Sequence, residues 1–496
     1  MTLSEEKEEG EEDKKIITTS TTTTPNKSRF QTGCLQQVSQ DGRIRTTRKG
    51  WALRVATLSG MSIIMAFTLY TGIMSGDALL VFSNILPLNS ILSMYIAWFH
   101  YKSPITGKLE DQDVVSVIIP VYNQKEMIET VIDAIFQSTY RSIEVVAVND
   151  GSRDGSKEIL DRLAGKYSNL KVIHKKNEGK RKAVASGIFA SKGEYVLLLD
   201  SDSVLDPNAV AEMVRAFKSD SKIGGAVGHV KVWNANKNLL TRVQDAWYDF
   251  AFNVGKSSES VFGSVTCCSG CLAGYRRDVI KDFVAYWAGA KMHSSDDREL
   301  TSYVLGSKWG KEKIIEIMGK PISRQLFESA ASYDDAEDRV LTASALEKWK
   351  TVYVASAIVY TDVPEKFRGF LKQQERWKKG YIRTNFFVSS FFWHQRNPLM
   401  TFSFYTDFMA TFSSPLIMIA VFVYAPIVHG QYYYSLSFLS SLFLKGIAIG
   451  LDYKYRDASS KNWKYYPLTI VMTNFVLSWV LFPALLRFKV NKWGTR

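Results

Sequence analysis

Two pairs of bilayer-length apolar runs bracket a charged central block, and this arrangement limits the chain more than any single motif does. Residues 55 to 75 (VATLSGMSIIMAFTLYTGIMS) and 78 to 99 (ALLVFSNILPLNSILSMYIAWF) are each long enough to cross a membrane. Arg43, Arg45, Arg48, Lys49 and Arg54 precede the first run, Lys102 follows the second, and the link between them has no Lys or Arg. The positive-inside rule therefore predicts a hairpin with both outer ends in the cytoplasm. Runs near 404 to 428 and 431 to 450, joined by VHGQ, repeat the pattern. The expectation is an integral membrane protein, of a cell or plasma membrane, whose block from about 103 to 398 is cytosolic.

A last apolar segment, 466 to 487, does not fit that alternation. Lys454, Arg456, Lys461 and Lys464 precede it, Lys489, Lys492 and Arg496 follow it, and Pro483 interrupts it. Cationic flanks on both sides assign its ends to one face of the membrane, so a re-entrant or bent segment competes with a simple crossing. At the other end, residues 1 to 28 combine EEKEEGEED with a Thr-rich stretch that cannot bury enough surface to fold, and the tail is expected to run to about residue 50. The net charge of +13 points to an anionic partner, either lipid, nucleic acid or a phosphorylated substrate. No RNA-binding aromatic motif or zinc finger accompanies it, which argues against nucleic acid.

The cytosolic block alternates strand and helix. VVSVIIPVY (114 to 122), IEVVAVND (143 to 150), LKVIHKK (170 to 176), EYVLLLD (194 to 200) and GGAVGHVKV (224 to 232) read as strands. Between them MIETVIDAIF, SKEILDRLA, RKAVASGIF and NAVAEMVRAF have helical periodicity. The fold predicted is α/β, a mostly parallel, doubly wound sheet whose ligands sit at the carboxyl ends of its strands. Asp150 and Asp200 both occupy such ends. In LLLDSDSVL, strand periodicity would put Asp200 and Asp202 on one face, where two like charges are tolerable if a divalent cation and its phosphate lie between them. Acids also cap turns with no further role; position at the strand end favours the functional reading.

Several short segments in fixed order then bear a family likeness: PVYNQ (120 to 124), NDGSRDGS (149 to 156), NEGKRKA (177 to 183), DSD (200 to 202), EDR (337 to 339), QQERW (373 to 377) and KWGTR (492 to 496). Together, between membrane hairpins, they resemble the membrane-embedded processive glycosyltransferases of family 2, which include hyaluronan, chitin and cellulose synthases. The likeness spans about 50 to 496, and WGTR, GKR and the SG-x-L-x-x-YR of 269 to 276 look closest to hyaluronan synthases. The resemblance implies a GT-A type nucleotide-diphosphate-sugar domain inserted between transmembrane helices. It divides the chain into a hairpin (51–102), the GT-A domain (103–362), interface helices (363–398) and a C-terminal membrane region (399–496).

The same resemblance implies roles. Asp150 would meet the uracil of a UDP-sugar donor, with Tyr122 as a stacking surface. Asp200 and Asp202 would hold Mg2+ or Mn2+, and Lys180 and Arg181 would add positive charge at the diphosphate. GKRK is alternatively a solvated helix start. Ser269, Gly270 and Cys271 would line the acceptor pocket or simply pack. Arg376 would face the diphosphate and Trp377 a sugar of the growing polysaccharide, with Gln373, Trp493 and Arg496 completing the site.

Transfer to a sugar hydroxyl with inversion needs a carboxylate to accept the proton. Asp338, flanked by Glu337 and Arg339, lies 35 positions before Gln373, the spacing the family pattern requires. Asp297 in SSDDRELT has a similar context but lies 76 positions before Gln373. The expected base is Asp338, which makes about 291 to 334 an insertion. The stretch 363 to 387 has an apolar face (Phe367, Phe370, Leu371, Trp377, Tyr381) and a basic one, as an amphipathic helix on the inner leaflet would. Cys267, Cys268 and Cys271 are too crowded and lack a fourth ligand for zinc, so free thiols are expected. The activity expected is therefore a processive inverting polymerase of UDP-sugars that moves its product across the membrane. A chitin-like homopolymer synthase, a polyprenyl-phosphate glycosyltransferase and a non-enzymatic transporter or scaffold are the alternatives.

Overall fold

Eight strands form one sheet in the order β3-β2-β1-β4-β7-β6-β8-β5. The computed structural model describes residues 38–39, 41–82, 84–109, 113–290, 295–306, 308–318, 348–392, 397–457 and 460–488. The strands are β1 (Val115–Val121), β2 (Ile143–Asp150), β3 (Leu170–Lys175), β4 (Tyr195–Leu198), β5 (Ser203–Leu205), β6 (Ile223–Val232), β7 (Ala273–Arg276) and β8 (Lys350–Thr361). Val117 sits opposite Val145 of β2 and Leu197 of β4, and all three are fully buried. Each such side chain contributes roughly 1.5–3 kcal/mol by leaving water. Helices cover both faces, which is why these strands are apolar throughout rather than alternating.

The sheet is mixed: four of its seven strand pairings are parallel and three are antiparallel. Strand β7 runs antiparallel to both β4 and β6, and β5 runs antiparallel to β8. After β4 only residues 199 to 202 precede β5, too few for a crossover helix, so β5 leaves the parallel set and pairs with β8, while β7 arrives after the helix Leu239–Phe250 and inserts antiparallel between β4 and β6.

The helices that position the site are α1 (Arg48–Ser75), α2 (Leu80–His100), α3 (Ile128–Phe136), α4 (Ser156–Lys166), α5 (Lys180–Ala190), α6 (Ala209–Ser219), α7 (Leu239–Phe250), α8 (Arg277–Gly289), α9 (Asp296–Leu305), α10 (Phe367–Phe392), α11 (Pro398–His429), α12 (Tyr432–Arg456), α13 (Tyr466–Phe475) and α14 (Leu481–Leu486). Helix α5 lies close on the sheet because position 187 is glycine: a Cβ there would stand 2.3 Å from Ile118 Cγ2.

Among the described residues four helices, α1, α2, α11 and α12, are long and apolar enough to cross a membrane. The final apolar segment is broken into α13 and α14, with a turn at residues 476 to 480 between them. Order begins before residue 50, since Val38 bridges Ile44 and Thr47 caps α1 by accepting the Gly50 N–H; the rest of the tail lies outside the described residues.

A buried ionic chain joins the membrane helices to the sheet domain. Arg54 of α1 donates to Asp452 of α12 at 2.7 Å, Arg456 bonds both Asp452 (2.7 Å) and Asp249 of α7 (2.5 Å), and Tyr466 of α13 donates to Asp249 at 2.5 Å. Four helices thus meet on two arginines and two aspartates.

Candidate active site

The loops after β1 and β2 are laced together. Asn123, at φ 52°, accepts the Arg153 N–H through Oδ1 and donates its own N–H to Ser152, while the N–H groups of Gln124 and Lys125 go to Ser156 and Asp154. PVYNQ and NDGSRDGS are therefore one structural unit. Asp150 ends β2 and accepts the N–H groups of Glu178 and Gly179 at 2.9 and 2.8 Å, fixing the NEGKR loop against the strand end. Tyr122 lies half-buried just past the end of β1 in the same loop set.

Strand β4 stops at Leu198, so Asp200 and Asp202 sit in a turn and not on one face of a strand. Both carboxylates nonetheless act on the same groups, Cys271 and Tyr248. The turn is anchored by its backbone, Asp200 donating its N–H to Gly270 O at 3.1 Å. The Cys271 thiol stands 3.8 Å from Asp200 Oδ2.

Lys180 and Arg181 begin α5, as a helix start, but neither is solvated in the way a surface GKRK would be. Lys180 pairs with Asp200 and is held charged by Asp200 and Asp297 despite burial; Asp200 is held below the usual carboxylate range, against burial, by Lys180 and then Arg376. Arg181 does not face this centre. It is 4% exposed, donates to Asp296 at 2.8 Å, lies 2.6 Å from Glu299 and packs over the Trp287 ring. Those partners occupy its guanidinium.

Helix α9 carries DDRELT beside the site, and its first three residues each have a partner. Asp296 takes Arg181, Asp297 accepts the Gly270 N–H at 2.9 Å, and Arg298 lies 4.8 Å from the Tyr381 ring of α10. Thr301 bonds the Cys268 N–H at 2.9 Å and ties α9 to the CCSGC loop. Burial raises the Asp297 carboxyl, with Lys180 opposing and Asp200 adding to the rise. A carboxyl raised in this way, one lysine away from Asp200, has the character of a proton acceptor.

The QQERW segment lies on α10 above the same centre. Trp377 packs at 5.9 Å from Trp247 of α7, remains 36% exposed, and leaves a ring face for a ligand. Arg376 acts on both Asp200 and Tyr248. The Gln373 Oε1 is buried and has no hydrogen-bond partner among the described residues, and Glu375 holds Lys379 (2.7 Å) and Arg487 beyond α14 (3.2 Å). Tyr248 and Trp247 belong to the site and carry no motif that marks them in the sequence. Glu337, Asp338, Arg339, Trp493 and Arg496 lie outside the described residues.

These loops and strand ends coincide with a recognisable family model. Residues 116–284 match glycosyl transferase family 2. Those residues form a family 2 glycosyltransferase domain, and the protein is a glycosyltransferase. The matched stretch runs from β1 into α8, so it contains Asp150, Lys180, Asp200, Asp202 and the CCSGC loop and stops short of Asp297 and QQERW. Beyond it the similarity extends to hyaluronan synthase of Streptococcus pyogenes, 29% identical over 79% of this chain and 85% of that protein. An N-acetylglucosaminyltransferase of Rhizobium sp. (strain N33) is 32% identical over 54% of this chain and 53% of its own length. Among solved structures a mannosyltransferase of Pyrobaculum calidifontis, in complex with GDP-Man and Mn2+, shares the fold at TM-score 0.52 and 16% identity, covering 88% of this chain and 99% of that one.

Proposed function

We propose that this family 2 enzyme is a processive, inverting polymerase that adds sugars from UDP-sugar donors to a growing polysaccharide at the cytoplasmic face of a membrane, in the manner of a hyaluronan synthase. One observation carries the reading: Asp200 pairs with Lys180, Asp297 accepts the Gly270 N–H beside that lysine, and Asp202 and Arg376 both act on the adjoining Tyr248. The similarity to hyaluronan synthase over most of both chains supports the polymer, and α1, α2, α11 and α12 support a membrane setting.

The donor set fits a hard divalent cation. Asp200 and Asp202 offer oxygen only, and among the described residues no group of three or more His, Cys, Asp or Glu side chains could hold a metal ion by itself, so a cation here would depend on ligands from the substrate and water. Mg2+ and Mn2+ suit such an open site, because phosphate oxygens and water complete their coordination. When bound, the cation neutralises charge on the departing diphosphate. Lys180 supplies a fixed ammonium to the same oxygens and Arg376 a second cation from above. Asp150, through the Glu178–Gly179 backbone, shapes the floor on which Tyr122 receives the base.

Asp297 accepts the acceptor hydroxyl's proton as the new bond forms, and Trp377 stacks under the acceptor ring. A second reading of the base rests on spacing: Asp338 lies 35 positions before Gln373. Ser269 and Gly270 border the acceptor side, with Gln373 Oε1 free to take a sugar hydroxyl. The test is product formation by the purified protein in lipid nanodiscs with Mn2+ or Mg2+, given UDP-N-acetylglucosamine and UDP-glucuronate separately and together. High-mass product that requires both is the expected result. Product from one sugar alone would indicate a homopolymer synthase, and absence of UDP release with any UDP-sugar would overturn the proposal.

A further inference from the structure

Arg181 looks by sequence like a phosphate ligand, yet its side chain is spent elsewhere. Its guanidinium reaches Asp296 Oδ1 at 2.8 Å and Glu299 Oε2 at 2.6 Å, donates to Trp287 O at 3.3 Å and lies 5.4 Å from the Trp287 ring centroid. Arg181 and Glu299 are 4% and 3% exposed. Residues 296 and 299 are three apart and share one side of α9. Gripping both from one planar fork sets the rotation of that helix about its own axis. Asp297, next in sequence to one gripped residue, points away from Arg181 to the Gly270 N–H. Lys180, next to Arg181 itself, pairs with Asp200.

We propose that Arg181 is a positioning residue for glycosyl transfer: it locks the rotation of α9 so that Asp297 is presented to the acceptor beside Lys180 and Asp200, and it takes no part in binding the diphosphate. The first turn of α5 then sets both halves of the centre, one residue holding the donor-side acid and the next holding the helix of the base. The proposal rests on the reading of Asp297 as the base.

The test is a split of kcat against donor KM and UDP affinity in nanodiscs, for Arg181→Lys, Glu299→Gln and their double variant. Lysine keeps the charge but cannot span two carboxylates. The expected result is a fall in kcat on the order of 10- to 100-fold, with UDP Kd and donor KM within about twofold of wild type. Glu299→Gln should reproduce it, and the double variant should lose no more than the worse single one. A rise in UDP Kd with kcat intact would make Arg181 a phosphate ligand and overturn the proposal, as would kcat unchanged in folded Arg181→Lys. If Arg181→Lys does not fold, Asp296→Asn and Glu299→Gln carry the test, and unchanged kcat in both is the overturning result. Asp297→Asn in the same assay separates the two readings: full activity there would refute the base, whatever Arg181 does.

Discussion

Two buried ionic clusters among the described residues, one at the membrane junction and one at the strand ends, differ in how their charge is closed. At the membrane junction Arg54, Asp452, Arg456 and Asp249 form a continuous chain of two cations and two anions, every link 2.5 to 2.7 Å. At the strand ends Asp200 and Asp297 both act on Lys180, Asp202 acts on Cys271 beside them and Arg376 lies further off, so among these described residues carboxylates outnumber cations. A buried charge without a partner is expensive. The excess of acid at the strand ends is tolerable in a site that a cation and a diphosphate complete. The junction holds the domain on its membrane helices; the strand-end cluster is built to receive something.

The sharpest way to break this comparison is to neutralise one acid in each cluster. Asp297→Asn should lower turnover by about 10²- to 10⁴-fold, with UDP affinity and thermal stability close to wild type, while Asp338→Asn stays active; UDP-release kinetics on both variants decide. Because burial raises Asp297, the acid limb of kcat in the wild type should lie above the ordinary carboxylate range. Asp452→Ala should do the reverse. Leaving Arg54 and Arg456 without their shared partner costs about 3–5 kcal/mol, and the fraction that survives in nanodiscs should turn over at the wild-type rate. A variant of either kind that crossed over, with Asp452→Ala dead but stable, would erase the distinction.

Smaller changes sharpen it. A Cβ at position 270 would lie 2.9 Å from Asp297 Oδ1 and 3.3 Å from Lys180 Nζ, both ends of movable side chains. Gly270→Ala should therefore cost roughly 10-fold in kcat by displacing them, with little change in melting temperature. Near the junction, Asp245 is pushed up to about 6 by burial and accepts from Asn462 at 2.7 Å. Its folded value stands above the unfolded one, so folding takes up a proton and stability falls as pH rises through about 6. Asp245→Asn should raise Tm by a few degrees near about pH 8 and much less near about pH 4, as differential scanning in nanodiscs would show. Equal shifts at both pH values would contradict the assignment.

How far the sequence speaks depends on whether an interaction is local. Strand β2 runs over the residues its apolar run predicts, 143 to 150, because both faces are covered and no alternation obscures it. The three- and four-residue strands β5 and β7 leave no such trace, and nothing local in TVYVASAIVY says that β8 pairs with both β6 and β5. The membrane helices are legible from length and flanking charge. The choice of base is not. Asp297 and Asp338 both stand in D-R-x-L-T, and chain spacing prefers the second. What sets Asp297 in the site is contact with Gly270, 27 residues away, and of its neighbour Asp296 with Arg181, 115 residues away. Arg181 shows the same limit, since its charge is plain and its partners are not.

The most direct test of the acid-excess account is UDP binding to the wild-type protein in nanodiscs by calorimetry, with Mn2+ and with EDTA. The account predicts binding with the cation, little or none in EDTA, and loss of the difference in Asp202→Asn. Equal affinity with and without the cation would contradict it.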